Sequence, residues 1–120
     1  MNPPRMAYAK LYDDVRRALA LAGRAMPVSE EAFLLAAEMP AGVLDVAQLE
    51  HADNRTFLEA AFLCVRLSVP NEAGMRYWGR YAESLTTAQF RRRLLRVIVN
   101  RCAARGQSIS VVNGEEYLDA

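Results

Sequence analysis

The stretch Thr86–Gly106, TTAQFRRRLLRVIVNRCAARG, decides the fold. Its opening, Thr86-Thr87-Ala88-Gln89, is a capping box: the Thr86 hydroxyl can accept from the Gln89 amide, and the Gln89 side chain can reach back. Leu85 before the cap and Phe90 in the first turn fit a hydrophobic staple. The apolar positions then run through Leu94, Leu95, Val97, Ile98, Val99 and Cys102, and Gly106 is the natural C′ stop. At about 100° per residue these side chains cover close to half the circumference, wider than the stripe of a surface helix. A central helix over 87–104, touching at least two others, is therefore expected.

The same helix carries the arginine run. Arg92, Arg93 and Arg96 share its outer face with Gln89 and Asn100, whereas Arg91 falls in the apolar sector, where it either pairs with a carboxylate or snorkels. An arginine row of this kind is commonly a solvated face. Its functional reading is a contact for phosphate or nucleic acid, with Arg76 and Arg80 as neighbours.

Upstream the spacing is helical almost throughout. Asp53 or Asn54 opens a helix with the stripe Phe57, Leu58, Ala61, Phe62 and Val65, ended by Pro70. Asn71 can cap the next, with Met75, Trp78 and Tyr81 on one side. Tyr77 is the aromatic expected to be exposed, as a stacking platform for a sugar or base. Nearer the start, Tyr8, Leu11, Tyr12, Val15, Ala18, Leu19 and Ala22 form a stripe closed by Gly23 and Pro27. Ser29 can cap a helix holding Phe33, Leu34 and Ala37 and ending before Pro40. Val43, Leu44, Val46, Ala47 and Leu49 allow a short helix. Downstream, Ile109, Val111 and Val112 precede the turn pair Asn113-Gly114. A small hairpin is conceivable there, but an extended, partly ordered tail over 107–120 is preferred. The whole reads as an all-α single domain over 1–106, of five or six helices, followed by that short tail.

Residues 53–101 resemble the bacterial DUF4214 family, a domain of unknown function distantly similar to phycobilisome linker domains. The positions that carry the likeness are Phe57-Leu58, Ala61-Phe62, Pro70-Asn71, Gly74 and Tyr77-Trp78, in ungapped spacing, followed by Thr86, Gln89 and Phe90. Arg66-Leu67-Ser68 departs from the family's Leu-Gly-Arg, and the segment after Trp78 is shorter. The resemblance implies a scaffold: Pro70 and Asn71 for a sharp turn, Gly74 for close helix approach, Trp78 to fill the space between helices. It implies an interaction or assembly module and brings no activity with it.

The chain has 120 residues, 52% of them hydrophobic and 24% charged, with a formal charge of +1. A core without disulfides or metal is feasible at this size. The near-neutral total hides a segregation: residues 1–60 carry 6 basic and 9 acidic groups, residues 61–105 carry 9 basic and 2 acidic, and the last 15 carry 3 acidic groups only. That pattern suits internal complementarity or assembly. One histidine and two cysteines exclude the usual zinc patterns. His51, between Glu50 and Asp53, lacks any nucleophile or second ligand set. Phosphate loops and nucleophile elbows are missing too. Neither catalysis, nor a metal, nor a cofactor is expected. No signal peptide or membrane span is read, which points to the cytoplasm, with export by a route lacking an N-terminal signal as the alternative. Cys64 and Cys102 read as buried free thiols.

The leading expectation is a non-catalytic module binding another protein or itself. The alternatives are a nucleic-acid or polyanion binder through the arginine face, and a carbohydrate-handling accessory module using Tyr77.

Overall fold

The computed structural model describes residues 3–118. In chain order it has α1 (Pro3–Leu21), α2 (Glu30–Ala37), strand β1 (Val43–Asp45), a 3₁₀ turn (Val46–Leu49), α3 (Asn54–Cys64), α4 (Glu72–Ser84), α5 (Thr87–Ala104), strand β2 (Ser110–Val112) and the one-turn α6 (Glu115–Leu118). The fold is all-α with a two-stranded ribbon added.

Each long helix after α1 starts where a side chain can satisfy an orphan amide. Ser29 accepts from Ala32 N, Asp53 from Thr56 N, Asn71 from Gly74 N and Thr86 from Gln89 N. At Thr86 the capping box is complete: Gln89 Oε1 accepts from the Thr86 amide at 3.0 Å.

Three helices end in the same way. At the ends of α1, α3 and α5 one amide reaches back five residues and the preceding one three, the Schellman pattern. It needs a left-handed residue, supplied by Gly23 and Gly106 but by Arg66 (φ 59°) after α3. Helix α3 thus stops before Arg66, well ahead of Pro70.

The core lies between α3 and α5. Helix α3 is the most enclosed, with Thr56 to Phe62 and Cys64 all buried. Helix α5 packs on α3, α4 and α6 and buries Phe90, Arg91, Leu94, Leu95, Ile98 and Cys102. Trp78 is buried and meets Phe90 edge-on, with ring centroids 5.9 Å apart. Both cysteines are free and buried; Cys64 Sγ lies 3.3 Å from Met39 Sδ.

Several local expectations need correction. Residues 43–45 form a strand, and only 46–49 are helical. The tail is extended through Ser110–Val112, but β2 pairs with β1 in parallel, Val43 opposite Ser110 and Asp45 opposite Val112. No hairpin forms at Asn113-Gly114. Instead Gly114 is buried, and a Cβ there would lie 2.9 Å from Val111 Cγ1 and 3.3 Å from Val46 Cγ2. Gly74 is required within its own turn and not between helices: a Cβ there would lie 2.8 Å from Pro70 Cβ. The α1 stripe is only partly used. Tyr12 is buried and donates to Val28 O at 2.7 Å, but Leu11, Val15 and Ala18 face out.

Candidate functional site

The candidate site is the outer face of α5. The capping box fixes the start of α5, whose first turns bury Phe90 and Arg91 and leave Gln89 exposed. One helical period then brings Arg92, Arg93, Arg96 and Asn100 to the same side. These five residues, with Leu85 and Val97, line a groove of about 410 Å³. It has an apolar floor, two amide groups and three guanidinium groups. Chemically, guanidinium forks in such a groove can engage carboxylate or phosphate in a planar, bidentate way.

Arg93 links the groove to an aromatic ledge on α4. Its Nη2 donates to Tyr77 Oη at 3.0 Å and to Tyr81 Oη at 2.9 Å, and its Cζ stands 4.1 Å from the Tyr81 ring centroid. The two hydroxyls are 3.5 Å apart. Hydrogen bonding with Tyr81 first, then with Arg93, lowers the Tyr77 phenol below its ordinary pKa, while the hydrogen bond with Tyr77 raises that of Tyr81. The same bond to Tyr77 strengthens the hold of Arg93 on its proton. Arg92 is half-buried, and its Nε has no hydrogen-bond partner among the described residues.

The sequence-derived set is therefore divided. Arg92, Arg93 and Arg96 come together in the groove. Arg80 borders a separate hollow with Tyr77, Tyr81 and Ser84. Arg76 is paired with Glu72 at 3.2 Å and lines neither. Tyr77 is 45% exposed, but its hydroxyl is engaged and its ring meets Trp78 and Tyr81 edge-on. Phe57, Phe62 and Trp78 are core; Pro70, Asn71, Gly74, Thr86 and Gln89 shape helix starts, Gln89 also reaching the groove.

His51 and Glu50 are exposed, and Asp53 is committed to its cap. The backbone hydrogen bond from Thr56 holds the Asp53 carboxyl below its usual pKa. Among the described residues no group of three or more His, Cys, Asp or Glu is placed to hold a metal ion. None of the helices among them is long and apolar enough to cross a membrane.

Two features escaped sequence reasoning. Arg91 is buried, and neither of its expected outcomes holds. It donates to the carbonyls of Leu49, Glu50 and Ala52 at 3.5, 3.0 and 3.0 Å and to Tyr117 Oη at 3.5 Å, with its guanidinium 4.6 Å from the Phe57 ring centroid. Carbonyl dipoles at the end of the 3₁₀ turn take the place of a carboxylate. Its presence in the apolar sector was the only signal. The second feature is the outward side of α1, where Met6, Leu11, Val15 and Leu21 are 57%, 50%, 39% and 91% exposed. Apolar spacing alone does not say whether a stripe faces a core or a partner.

Comparison with protein-family models, with curated proteins and with solved structures gives no match to this chain.

Proposed function

We propose that this protein is a non-catalytic interaction module that takes an anionic partner surface in the α5 groove. One observation carries the reading: Arg92, Arg93 and Arg96 line a single concave surface together with the amide side chains of Gln89 and Asn100. Guanidinium groups gathered above an apolar floor form a receptor that a merely solvated face has no need to build. The scaffold character of the Phe57–Trp78 motif supports the same reading, because its residues shape helices and offer no reacting group. Two reduced, buried thiols suit a cytoplasmic setting.

An acidic protein surface suits the groove better than a long nucleic acid. Nucleic-acid binding draws its affinity from many simultaneous phosphate contacts. Here three arginines occupy one helix face, Arg76 is engaged by Glu72, and the tyrosines that would stack on bases are tied to Arg93. A carbohydrate reading through Tyr77 is disfavoured for the same reason.

The test is a fluorescence-anisotropy titration of a glutamate-rich peptide and of single-stranded DNA, at low and moderate salt. The wild type should bind the peptide, and binding should weaken with salt. The combined change of Arg92, Arg93 and Arg96 to Ala should abolish it. Failure to bind any polyanion at low salt overturns the proposal; DNA binding much tighter than peptide binding replaces it with the nucleic-acid reading.

A further inference from the structure

We infer that the acidic surface received by the groove belongs to a second copy of this chain, docking through the corner that carries Glu50, Glu115 and Glu116. The inference rests on the groove reading above and names its partner.

The argument begins with charges left over inside one copy. Ion pairs within one copy join Arg5 to Glu38, Arg16 and Arg17 to Asp13, Arg55 to Glu59 and Arg76 to Glu72. Asp14, Glu30, Glu31, Glu50, Glu83, Glu115 and Glu116 are exposed and belong to none of them; of these, Glu50 and Glu116 share one cleft and Glu115 adjoins Glu116 in sequence. Among the described residues Arg92 and Arg93 also meet no carboxylate; the hydrogen bonds of Arg93 go to phenols.

These two sets cannot reach each other within one molecule. Glu50 and Glu116 border a cleft with Arg91 at its base. On α5, Arg91 points toward that cleft, whereas Arg92, Arg93 and Arg96 point into the groove. At about 100° per residue the two directions lie far around the helix from one another. The helix therefore separates an acidic corner from a basic groove, and only another molecule can bring them together.

A copy of the same chain satisfies the remaining condition. With a total charge of +1, two copies meet with little net repulsion, and the attraction comes from the segregated ends. A strongly charged chain of the same pattern would resist such contact. The contact joins different surfaces of the two copies, so it is head-to-tail, and each added copy leaves one groove and one corner open. Assembly should therefore grow with concentration and dissolve in salt, since exposed charge pairs are screened.

Sedimentation velocity of the whole chain over a concentration series, at low and at high salt, tests this. The wild type should gain mass with concentration at low salt and return to the monomer at high salt. Two variants sharpen the result: Arg92→Glu with Arg93→Glu, and Glu115→Arg with Glu116→Arg. Each should sediment as a monomer alone. Mixed in equal amounts they should associate, because the first keeps a native corner and the second a native groove. A wild type that stays monomeric at low salt overturns the inference without need of either variant, as does association that both variants retain in isolation. The glutamate-rich peptide separates the two levels: peptide binding by a strictly monomeric wild type removes the second copy and leaves the groove, whereas absence of both removes the groove as well.

Discussion

Helices α1 and α5 are nearly equal in length, 19 and 18 residues, and both show apolar side chains at helical spacing. Their fates differ. Helix α5 is enclosed by α3, α4 and α6, while α1 packs mainly on the eight-residue α2. Six residues of α5 are buried, against Tyr12 alone among the residues of α1 whose burial is described. Spacing determines which side of a helix is apolar; the number and length of its neighbours determine how much of that side leaves water. Helix α1 is fastened at few points: the Tyr12 hydroxyl on Val28 O, the Tyr12 ring against Phe33 at 5.6 Å, and the Arg5–Glu38 ion pair.

The largest effect should come from truncating the enclosed helix. Phe90→Ala should lose about 3–5 kcal/mol in urea unfolding, whereas Leu11→Ala should stay within about 0.5 kcal/mol. Equal losses would break the contrast between α1 and α5. Next in size is Arg91→Met. The aliphatic replacement keeps much of the volume but strips the carbonyls of Glu50 and Ala52 of their donor, while Leu49 O keeps the Ala52 amide. A loss of about 2 kcal/mol is expected from leaving buried acceptors unpaired, against little change for Arg93→Ala on the exposed face. A neutral Arg91→Met would mean that water reaches those carbonyls.

Asp53→Ala should cost about 1 kcal/mol near neutral pH through the lost cap. The folded-state pKa of Asp53 is depressed, so its contribution is fully present above the unfolded carboxyl value of about 3.9 and is lost as pH falls through the folded value. The gap between wild type and variant should therefore shrink in strong acid; a gap independent of pH would assign the stabilisation to something other than the carboxylate. The smallest expected effect is a gain. Arg66 is left-handed where the ends of α1 and α5 use glycine, so Arg66→Gly should raise stability by about 0.5–1 kcal/mol. A loss instead would show that the Arg66 side chain contributes more than its backbone conformation costs.

Much of the fold was legible because its signals are local. Ser29, Asn71 and Thr86 announce helix starts within four residues of sequence and cap as read, and of the pair Asp53 or Asn54 it is Asp53 that caps. The outer set Arg92, Arg93 and Arg96 was legible for the same reason, since three positions on one helix share a face without reference to anything else. What was hidden depends on partners distant in sequence. Three-residue strands carry too short a pattern to reveal a parallel pairing. The surroundings of Arg91 come from the 3₁₀ turn and α6, about forty residues before it and about twenty-five after it. Arg76 looked equivalent to Arg80 until Glu72 was seen beside it.

The ribbon of β1 and β2 has a consequence for the order of folding. Its six residues join the first half of the chain to the last turns of the fold, with four helical segments between them. Closing so long a loop for so few hydrogen bonds is entropically unfavourable unless the intervening helices already hold the ends near each other. The ribbon should therefore close after α3 and α5 have docked, acting as a latch on an assembled core. While it is open, Tyr117 is away from Arg91 and the edge of β1 is bare, leaving an unpaired strand available to other chains until the latch shuts.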